Sequence, residues 1–221
     1  MQAERNKRLI PIIVTAAVLL AAFAVMFVLW RMNVIRHAKY PPSRFGIEQY
    51  TSAYDEDGDG IDDQTDILSS ARAYLATKPQ YKSAYYDGGY PDDGYGVCTD
   101  VVAQAMLGAG YDLMELVDAD IAAHPGDYAI EKADKNIDFR RVVNLIVYFR
   151  HTAEELTTDF SAIAEWQGGD IVVFPHHIAV VSDMRNYKGV PFILHHGYEG
   201  QTEYEEDMLG TLEIIGHFRV K

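Results

Sequence analysis

The chain has 221 residues, of which 19 are Lys or Arg and 33 are Asp or Glu, and it contains one cysteine. This length suits one ordinary domain with an appendage. A single cysteine excludes an intramolecular disulfide framework and a multi-cysteine zinc site. The net charge of -14 argues against nucleic acid as the main partner, because phosphate binding requires clustered basic side chains. The charge is uneven: residues 1–44 contain seven basic residues and one acidic residue, so residues 45–221 carry -20.

An uncharged apolar segment follows a short N-terminal tail, residues 1–8. Residues 9–30 read LIPIIVTAAVLLAAFAVMFVLW, and about 20 apolar residues suffice to cross the hydrocarbon core of a bilayer. The alternative is a cleaved signal peptide, but its apolar region is shorter, about 7–15 residues. We therefore predict an uncleaved anchor in the lipid bilayer. Basic residues flank both sides, and the short tail favours a cytoplasmic N terminus with the acidic part exported. Residues 31–54, which include Pro41-Pro42, are predicted to form a stalk.

The segment DEDGDGIDDQTD, residues 55–66, has the spacing of an EF-hand-like calcium loop. Gly60 stands where such a loop turns sharply. Five carboxylates and one backbone carbonyl are candidate ligands: Asp55, Asp57, Asp59, Ile61 (carbonyl), Asp63 and Asp66. A solvated acidic turn is the alternative, although carboxylates this close repel one another without a cation. The sequence predicts one structural Ca²⁺. Asp instead of Glu at the last position is more typical of an extracellular loop than of a cytosolic sensor.

The cysteine lies at the start of a predicted helix. Cys98 follows a loop rich in Gly, Pro and Asp, and apolar residues recur at helical spacing from residue 101 to 109. A helix N-terminus favours an anion, so this position predicts a lowered thiol pKa and a reactive thiolate. The alternative is a buried structural cysteine.

Five of the eight histidines lie in the last 46 residues. Four β-branched segments in and just before this region are predicted antiparallel strands: 170–174, 177–183, 191–196 and 212–220. Helices are predicted at 66–77, 98–109, 112–123 and 138–152. Helices followed by an antiparallel sheet indicate an α+β fold. Adjacent side chains on a strand face opposite sides, so His176 and His177 cannot share a site. A cysteine-bearing helix followed by a histidine-bearing sheet is the layout of a papain-type thiol site.

Several motifs carry a resemblance to known families. YDGGYPDDGYGVC (86–98), followed by GDIVVF, HIAVVSD and FILHHG, resembles the NlpC/p60 cell-wall hydrolases. GVCTDVV (96–102), IDFRRVVNL (137–145), HIAVVS and GHFR resemble more closely the bacterial domain-of-unknown-function family 1287. The chain departs from the better-known peptidases, which have Asp-Cys-Ser-Gly where it has Val-Cys-Thr-Asp at residues 97–100.

The resemblance implies a papain-like, NlpC/p60-type catalytic domain over residues 67–221. Cys98 matches the nucleophile, His177 the general base, and His195 the polar residue that orients the base. A Cys-His-His site of this kind needs neither a metal nor an organic cofactor.

The resemblance also implies candidates for binding the oxyanion or the substrate. Tyr86 matches the tyrosine that helps to bind the carbonyl oxygen. Asp100 and the pair Arg140-Arg141 match family motifs. Arg141 could bind a substrate carboxylate or pair with Asp100 inside the protein, and we favour the internal pair. His217 is expected to be a satisfied core residue.

These features predict a membrane-anchored, extracytoplasmic thiol hydrolase that cleaves amide bonds of cell-wall peptides through an acyl-thioester. Three alternatives stay open at this point. One is a non-catalytic, calcium-stabilised cell-wall-binding module, and another is a thiol acyltransferase on the same fold. The third and weakest is a metalloenzyme that uses His177 and His195.

Overall fold

The computed structural model describes residues 2–31 and 37–221, which belong to two units. The first unit, residues 1–38, contains helix α1 (Gln2–Arg31). Its stretch Ile10–Trp30 is long and apolar enough to cross a membrane, and none of it is buried against other parts of the chain. Helix α1 continues through the predicted tail. The start of the predicted stalk, residues 32–36, lies outside the described residues.

The second unit, residues 39–221, has a mixed α+β architecture, as predicted. Its helices are α2 (Asp63–Ala76), α3 (Cys98–Gly108), α4 (Leu113–Ala123), α5 (Lys135–Asp138) and α6 (Val142–Thr152). The single helix predicted at 138–152 is interrupted between α5 and α6. Arg141 has an extended backbone there, and the side chain of Arg140 turns towards Asp100, which it contacts at 2.6 Å.

Six strands form an antiparallel sheet in the order β3-β8-β4-β5-β6-β7. They are β3 (Glu154–Glu155), β4 (Ile171–Phe174), β5 (His177–Arg185), β6 (Pro191–Leu194), β7 (Glu205–Glu206) and β8 (Gly216–Arg219). Two further strands, β1 (Gln80–Tyr81) and β2 (Tyr95–Gly96), form a separate parallel pair. The strand predicted at 212–220 is shorter in the structure and consists of β8 alone. The strand predicted at 191–196 ends at Leu194, so His195 and His196 lie just beyond the end of β6.

The two faces of the sheet bury different sets of side chains, because residues alternate along each strand. One face packs on the helices and includes Ile171, Val173, Ile178, Val180 and Leu194. The other face surrounds Trp166 and includes Val172, Phe174, Ala179 and Val181. Helix α3 supplies Val101, Val102 and Ala105 to the first cluster. This packing holds the N-terminus of α3 beside the start of β5.

Residues 39–54 differ from the predicted stalk, because they lie against the domain. Tyr40 pairs with Arg185 through two backbone hydrogen bonds of 2.8 Å. Lys39 forms a 2.6 Å ion pair with Glu205, and Ile47 is buried. Backbone pairing and side-chain burial make this segment part of the folded unit rather than a spacer.

His217 has the structural environment expected of a core residue. Its ring is fully buried and stacks on Trp166 with a centroid distance of 3.7 Å. Nδ1 lies 2.7 Å from the carbonyl oxygen of Thr157, and Nε2 lies 2.9 Å from Asp170. Arg219 also donates to both oxygens of Asp170. This buried carboxylate, which precedes β4, therefore has partners for both of its oxygens.

Candidate active site

Cys98 is the first residue of α3, as predicted, and its side chain is partly buried. The backbone N–H groups of Ile178 and Thr99 are close enough to the sulfur to favour its anionic form and so to lower the pKa of the thiol. Ile178 directly follows His177 in β5, so the thiol lies beside the start of the strand that carries the predicted base. Among residues 37–221, no hydrogen bond joins the Cys98 sulfur to the ring of His177. Catalytic hydrogen bonds are often long or poorly aligned before substrate binds.

His177, His195 and Glu206 form a continuous run of hydrogen bonds. Nε2 of His177 lies 3.0 Å from Nδ1 of His195, and Nε2 of His195 lies 2.9 Å from a carboxylate oxygen of Glu206. His195 and Glu206 are buried, with exposed fractions of 2% and 5%. The two imidazole rings meet edge to face. The structure thus brings the two predicted histidines together and adds a carboxylate to them.

This run determines the tautomer of each ring. The Glu206 carboxylate only accepts hydrogen bonds, so Nε2 of His195 carries the proton that it donates. A neutral His195 then has a lone pair on Nδ1, which accepts the Nε2–H of His177. Nδ1 of His177 is left with a lone pair, and among residues 37–221 it has no hydrogen-bond donor. The arrangement therefore leaves Nδ1 of His177 able to accept a proton.

The strand register explains why these side chains meet. Val180 pairs with Leu194 in the β5–β6 ladder, and continuing that register places His195 on the same face as His177. Glu206 pairs with Ile193 in the β6–β7 ladder, and Ile193 shares a face with His195. The β4–β5 hairpin pairs Phe174 with His177 and stacks their rings. Three adjacent strands therefore fix the run.

Residue 197 lies so close to the rings of His177 and His195 that the absence of a side chain there matters. A Cβ atom at this position would lie 3.2 Å from Nδ1 of His195 and 3.6 Å from Cε1 of His177. Its backbone N–H donates to Gln201 at 2.7 Å. A side chain at residue 197 would press on the ring that orients the base, so the backbone itself covers this side of the pair.

Burial controls the protonation of both candidate catalytic groups. Burial, and then the neighbouring His195, lowers the pKa of His177 to about 3, so the ring is neutral at physiological pH. Burial raises the pKa of the Cys98 thiol above its ordinary value, and the N–H groups of Ile178 and Thr99 offset only part of this effect. The prediction that the helix N-terminus lowers the thiol pKa is therefore wrong for the resting protein. The site holds a neutral thiol and a neutral base.

Asp100 and Arg141 do not form the internal pair that was favoured for them. Asp100 is fully buried, accepts the N–H of Val97 at 2.8 Å, and forms a bidentate pair with Arg140 at 2.6 and 3.0 Å. An internal pair was favoured, but its partner is Arg140 rather than Arg141. Arg141 is half-exposed and lies 3.5 Å from Asp138. Because Asp100 has no free oxygen, we assign it to fixing the start of α3 and not to substrate contact.

The Tyr86 hydroxyl, the predicted oxyanion donor, is used elsewhere. It donates to Asp93 at 2.9 Å. Burial, followed by the hydrogen bond and charge of Asp93, raises the pKa of Tyr86 to about 12. The hydroxyl stays protonated, but it must leave Asp93 before it can donate to a substrate oxygen.

A cleft of about 460 Å³ lies beside the histidine pair. Its walls include three tyrosines, two glutamines and one buried histidine: Tyr81, Tyr95, Tyr204, Gln80, Gln201 and His196. The His196 ring contacts Tyr81 and Tyr204 edge to face, and its buried Nδ1 has no hydrogen-bond partner within residues 37–221. Gln201 also contacts the backbone carbonyl of His195 at 3.3 Å. The cleft thus offers aromatic surface and amide groups to a ligand, and Gln201 connects it to His195.

The predicted calcium loop gathers part of its ligand set. Carboxylate oxygens of Asp55, Asp57 and Asp59 lie within 4.8 Å of one another. Gly60 has a φ of +93°, and its N–H donates to Asp55 at 3.0 Å, as a sharp turn requires. Ile61 donates its N–H to Asp59 at 2.8 Å. Its carbonyl as a ligand stays a prediction.

Asp63 and Asp66 differ in how they relate to this loop. Asp63 is buried and accepts from the Glu56 N–H at 2.8 Å and from the Tyr111 hydroxyl at 2.5 Å, so its oxygens are already bonded. Asp66 is 6% exposed, and its Oδ2 has no partner among the described residues. Burial, and then the charges of Asp59 and Asp57, raises the pKa of Asp66 to about 6. Asp66 is therefore the buried carboxylate of the loop that lacks compensation.

Sequence reasoning missed Glu206, Gly197 and the cleft. Glu206 stands in the run EYEED, where nothing distinguishes a buried acceptor from solvated charges. Gly197 directly follows His195 and His196 in FILHHG. A glycine after a predicted strand and two histidines was the available signal. The cleft combines β1, β2 and the segment after β6, which are far apart in the chain.

The run of hydrogen bonds yields a test that needs no substrate. Replacing Glu206 with Gln allows the amide NH₂ to donate to His195, which reverses both tautomers and removes the lone pair from Nδ1 of His177. We expect alkylation of Cys98 by iodoacetamide at pH 7.5 to slow by about tenfold or more. Mass spectrometry of the Cys98 peptide measures the rate.

The neighbouring Glu205→Gln variant is the matched control, because Glu205 pairs with Lys39 and Arg72 instead of His195. Its alkylation rate should equal that of the wild type. Since burial raises the pKa of the thiol, the wild-type rate should still be rising above about pH 8.5, the ordinary thiol value. Equal rates in the Glu206→Gln variant and the wild type would contradict the assigned tautomers.

Comparisons with known proteins agree with the motif resemblance at the level of the family. No solved structure matches the chain. The protein YijF of Escherichia coli (strain K12), described as uncharacterized, is 36% identical over 167 residues, which cover 69% of this chain and 80% of YijF. The family described as Domain of unknown function (DUF1287) matches residues 68–220, a range that includes Cys98, both paired histidines and Glu206. The chain belongs to the DUF1287 family.

Proposed function

We propose that the chain is a thiol hydrolase with Cys98 as nucleophile and His177 as general base. The observation that carries this proposal is the buried run from Glu206 through His195 to His177. It leaves a lone pair on Nδ1 of His177, one residue from the Ile178 N–H that contacts the Cys98 sulfur. His195 and Glu206 are buried, and burying polar side chains is costly unless each is paired.

The mechanism follows from these roles. Nδ1 of His177 accepts the proton of Cys98, and the thiolate attacks an amide carbonyl carbon, forming a C–S bond. The tetrahedral intermediate breaks its C–N bond, and His177 returns the proton to the leaving amine. Water then loses a proton to His177 and attacks the acyl-thioester. The C–S bond breaks, and the thiolate recovers the proton from His177.

The neutral resting site makes His177 essential to this sequence. Because burial disfavours the charged form of both groups, the proton moves only when the developing charge is stabilised. The backbone N–H of Cys98, in the first turn of α3, is the proposed donor to the oxyanion. The Tyr86 hydroxyl becomes a second donor in this proposal when substrate displaces it from Asp93.

The substrate class is proposed from the resemblance to NlpC/p60 hydrolases together with the cleft beside His196. We propose an amide bond of a cell-wall peptide. The tyrosine faces can pack on apolar parts of such a chain, while the side-chain amides of Gln80 and Gln201 can bond its amides. A papain-like arrangement of α3 against the sheet belongs to the same proposal.

The hydrolase proposal predicts a covalent adduct on Cys98. The full-length protein, incubated with peptidoglycan fragments, should yield an acyl-Cys98 peptide detected by mass spectrometry. The variants Cys98→Ala and His177→Ala should lose cleavage by about 10³-fold or more. His176→Ala is the matched control, since this neighbouring histidine is exposed in the β4–β5 turn, and it should cleave normally.

Three outcomes separate the proposal from its alternatives. Cleavage by Cys98→Ala at the wild-type rate would rule out the thiol mechanism. Binding to cell walls without an adduct and without cleavage would support a binding module. An adduct that resolves only when an amine acceptor is added would support acyl transfer.

We also propose that α1 anchors the protein in the membrane with residues 39–221 outside the cytoplasm. The helix has the required length and composition, and the domain carries most of the acidic residues. In a Cys98→Ala background, a cysteine in place of the exposed Tyr187 should react with an impermeant maleimide on intact cells. A cysteine in place of Gln2 is the control and should react only after lysis. The reverse pattern would refute this orientation.

We further propose that residues 55–66 bind a structural Ca²⁺. The supporting observation is the buried Oδ2 of Asp66, which has no partner and lies in the field of Asp57 and Asp59. A divalent cation would neutralise this field and bond the free oxygen. Asp63, whose oxygens are already bonded, is proposed to support the loop instead of contacting the ion directly.

Calcium binding predicts that the Asp66→Asn substitution stabilises the protein in chelator and destabilises it in calcium. A carboxyl group whose pKa is raised on folding destabilises the protein as pH rises through about 4–6. In excess chelator at pH 7, Asp66→Asn should therefore raise stability by on the order of 1 kcal/mol, discounted for solvent screening. In millimolar calcium the same variant loses a ligand and should be less stable than the wild type. Thermal unfolding of the full chain measures both effects.

The exposed Asp92→Asn variant is the control for this measurement, because it removes a charge outside the loop. It should unfold at the wild-type temperature with and without calcium. If the difference in unfolding temperature between Asp66→Asn and the wild type is the same in chelator and in calcium, the loop does not bind the ion.

A further inference from the structure

A cluster of nitrogen and oxygen ligands lies outside the candidate active site, at the C-terminal ends of α4 and α6. Asp120 is in the last turn of α4, His124 caps that helix, and His151 is in the last turn of α6. One ligand atom from each residue lies within 4.8 Å of the other two. Neither histidine belongs to a motif of the sequence, so the fold alone brings them together.

The Asp120 carboxylate is held between the two rings. Its Oδ1 lies 3.0 Å from Nδ1 of His124, and its Oδ2 lies 2.7 Å from Nδ1 of His151. The Tyr128 hydroxyl donates to the same carboxylate. Asp120 is largely buried, with an exposed side-chain fraction of 9%, whereas that of His124 is 50%. The carboxylate is thus fixed, and one edge of the cluster is open to solvent.

His151 has carboxylates at both ring nitrogens. Nε2 lies 3.4 Å from Asp127, and Nδ1 faces Asp120. A neutral imidazole has a single N–H. When that proton lies between Nε2 and Asp127, the lone pair of Nδ1 points at the Asp120 carboxylate, which is repulsive unless a cation lies between them. A histidine with an outer carboxylate near one ring nitrogen and a second ligand at the other is the usual arrangement of a metal-binding imidazole.

We propose that Asp120, His124 and His151 bind one Zn²⁺ ion, with Asp127 orienting His151. Two imidazole nitrogens and one carboxylate suit zinc, whereas Ca²⁺ and Mg²⁺ prefer oxygen ligands. Zinc at 2.0–2.1 Å from each ligand atom requires these atoms to be about 3.3 Å apart in a tetrahedral site. The ligand atoms already lie within 4.8 Å of one another, so side-chain adjustment without a backbone change can bring them to that spacing. Water at the exposed edge completes the coordination.

The ion would join the end of α4 to the end of α6. Those two helices pack on each other and flank the core that supports α3. The proposal concerns a structural site and is independent of the chemistry of Cys98. The competing arrangement is an ion pair between Asp120 and protonated histidines, which binds no metal.

Zinc titration of the full chain in detergent micelles tests the site. The protein is stripped with a chelator and returned to buffer with millimolar calcium, so that the acidic loop does not compete for zinc. Calorimetry should show one equivalent of Zn²⁺ bound. His124→Ala and the double variant His124→Ala/His151→Ala should each weaken binding by at least about tenfold. His176→Ala, which removes an exposed histidine elsewhere, should bind as the wild type does.

Cobalt substitution identifies the ligands independently of folding differences between variants. Co²⁺ bound to the wild type should give visible d–d absorption without the near-ultraviolet band of a thiolate ligand. His124→Ala changes a half-exposed side chain, so retention of the wild-type circular dichroism spectrum is expected. Equal zinc affinity in wild type and both histidine variants, absence of binding at about 100 μM zinc, or a cobalt–thiolate band would each overturn the proposal.

Discussion

The candidate active site depends on one buried interaction, the hydrogen bond between His195 and the carboxylate of Glu206. A carboxylate can only accept, so it determines which nitrogen of His195 carries the proton, and His195 in turn determines the tautomer of His177. The result is a lone pair on Nδ1 of His177, the ring nitrogen that the run leaves unbonded. Without Glu206, the two rings could exchange tautomers freely, and the base would exist only part of the time.

The surrounding structure keeps this interaction in place and dry. Three neighbouring strands hold the participants at a fixed register, and Gly197 lets the backbone cover the rings without crowding them. On the other side of the site, the buried pair of Asp100 and Arg140 fixes the first turn of α3 and therefore the position of Cys98. The same burial favours the neutral forms of thiol and imidazole.

Sequence reasoning predicted the parts of this site that follow from local periodicity. The helical spacing after Cys98 and the alternation around His177 defined the helix start and the strand, and both lie where they were predicted. Glu206 could not be predicted, because β7 has two residues and its partner in β6 is chosen by tertiary packing. The thiol pKa was predicted in the wrong direction for a related reason: position at a helix end is readable from sequence, whereas burial is a property of the assembled core.

The acidic composition takes on a different meaning once the burial of individual carboxylates is known. Asp100 and Asp170 are fully buried and paired with Arg140 and Arg219, so each is an internal support rather than part of a negative surface. Removing one partner of such a pair costs far more than removing a surface charge, because the remaining charge stays buried. Asp66 is the contrasting case, a buried carboxylate with an unpaired oxygen. The same physical rule that assigns the paired carboxylates to the fold therefore singles out Asp66 as the carboxylate on which the calcium proposal rests.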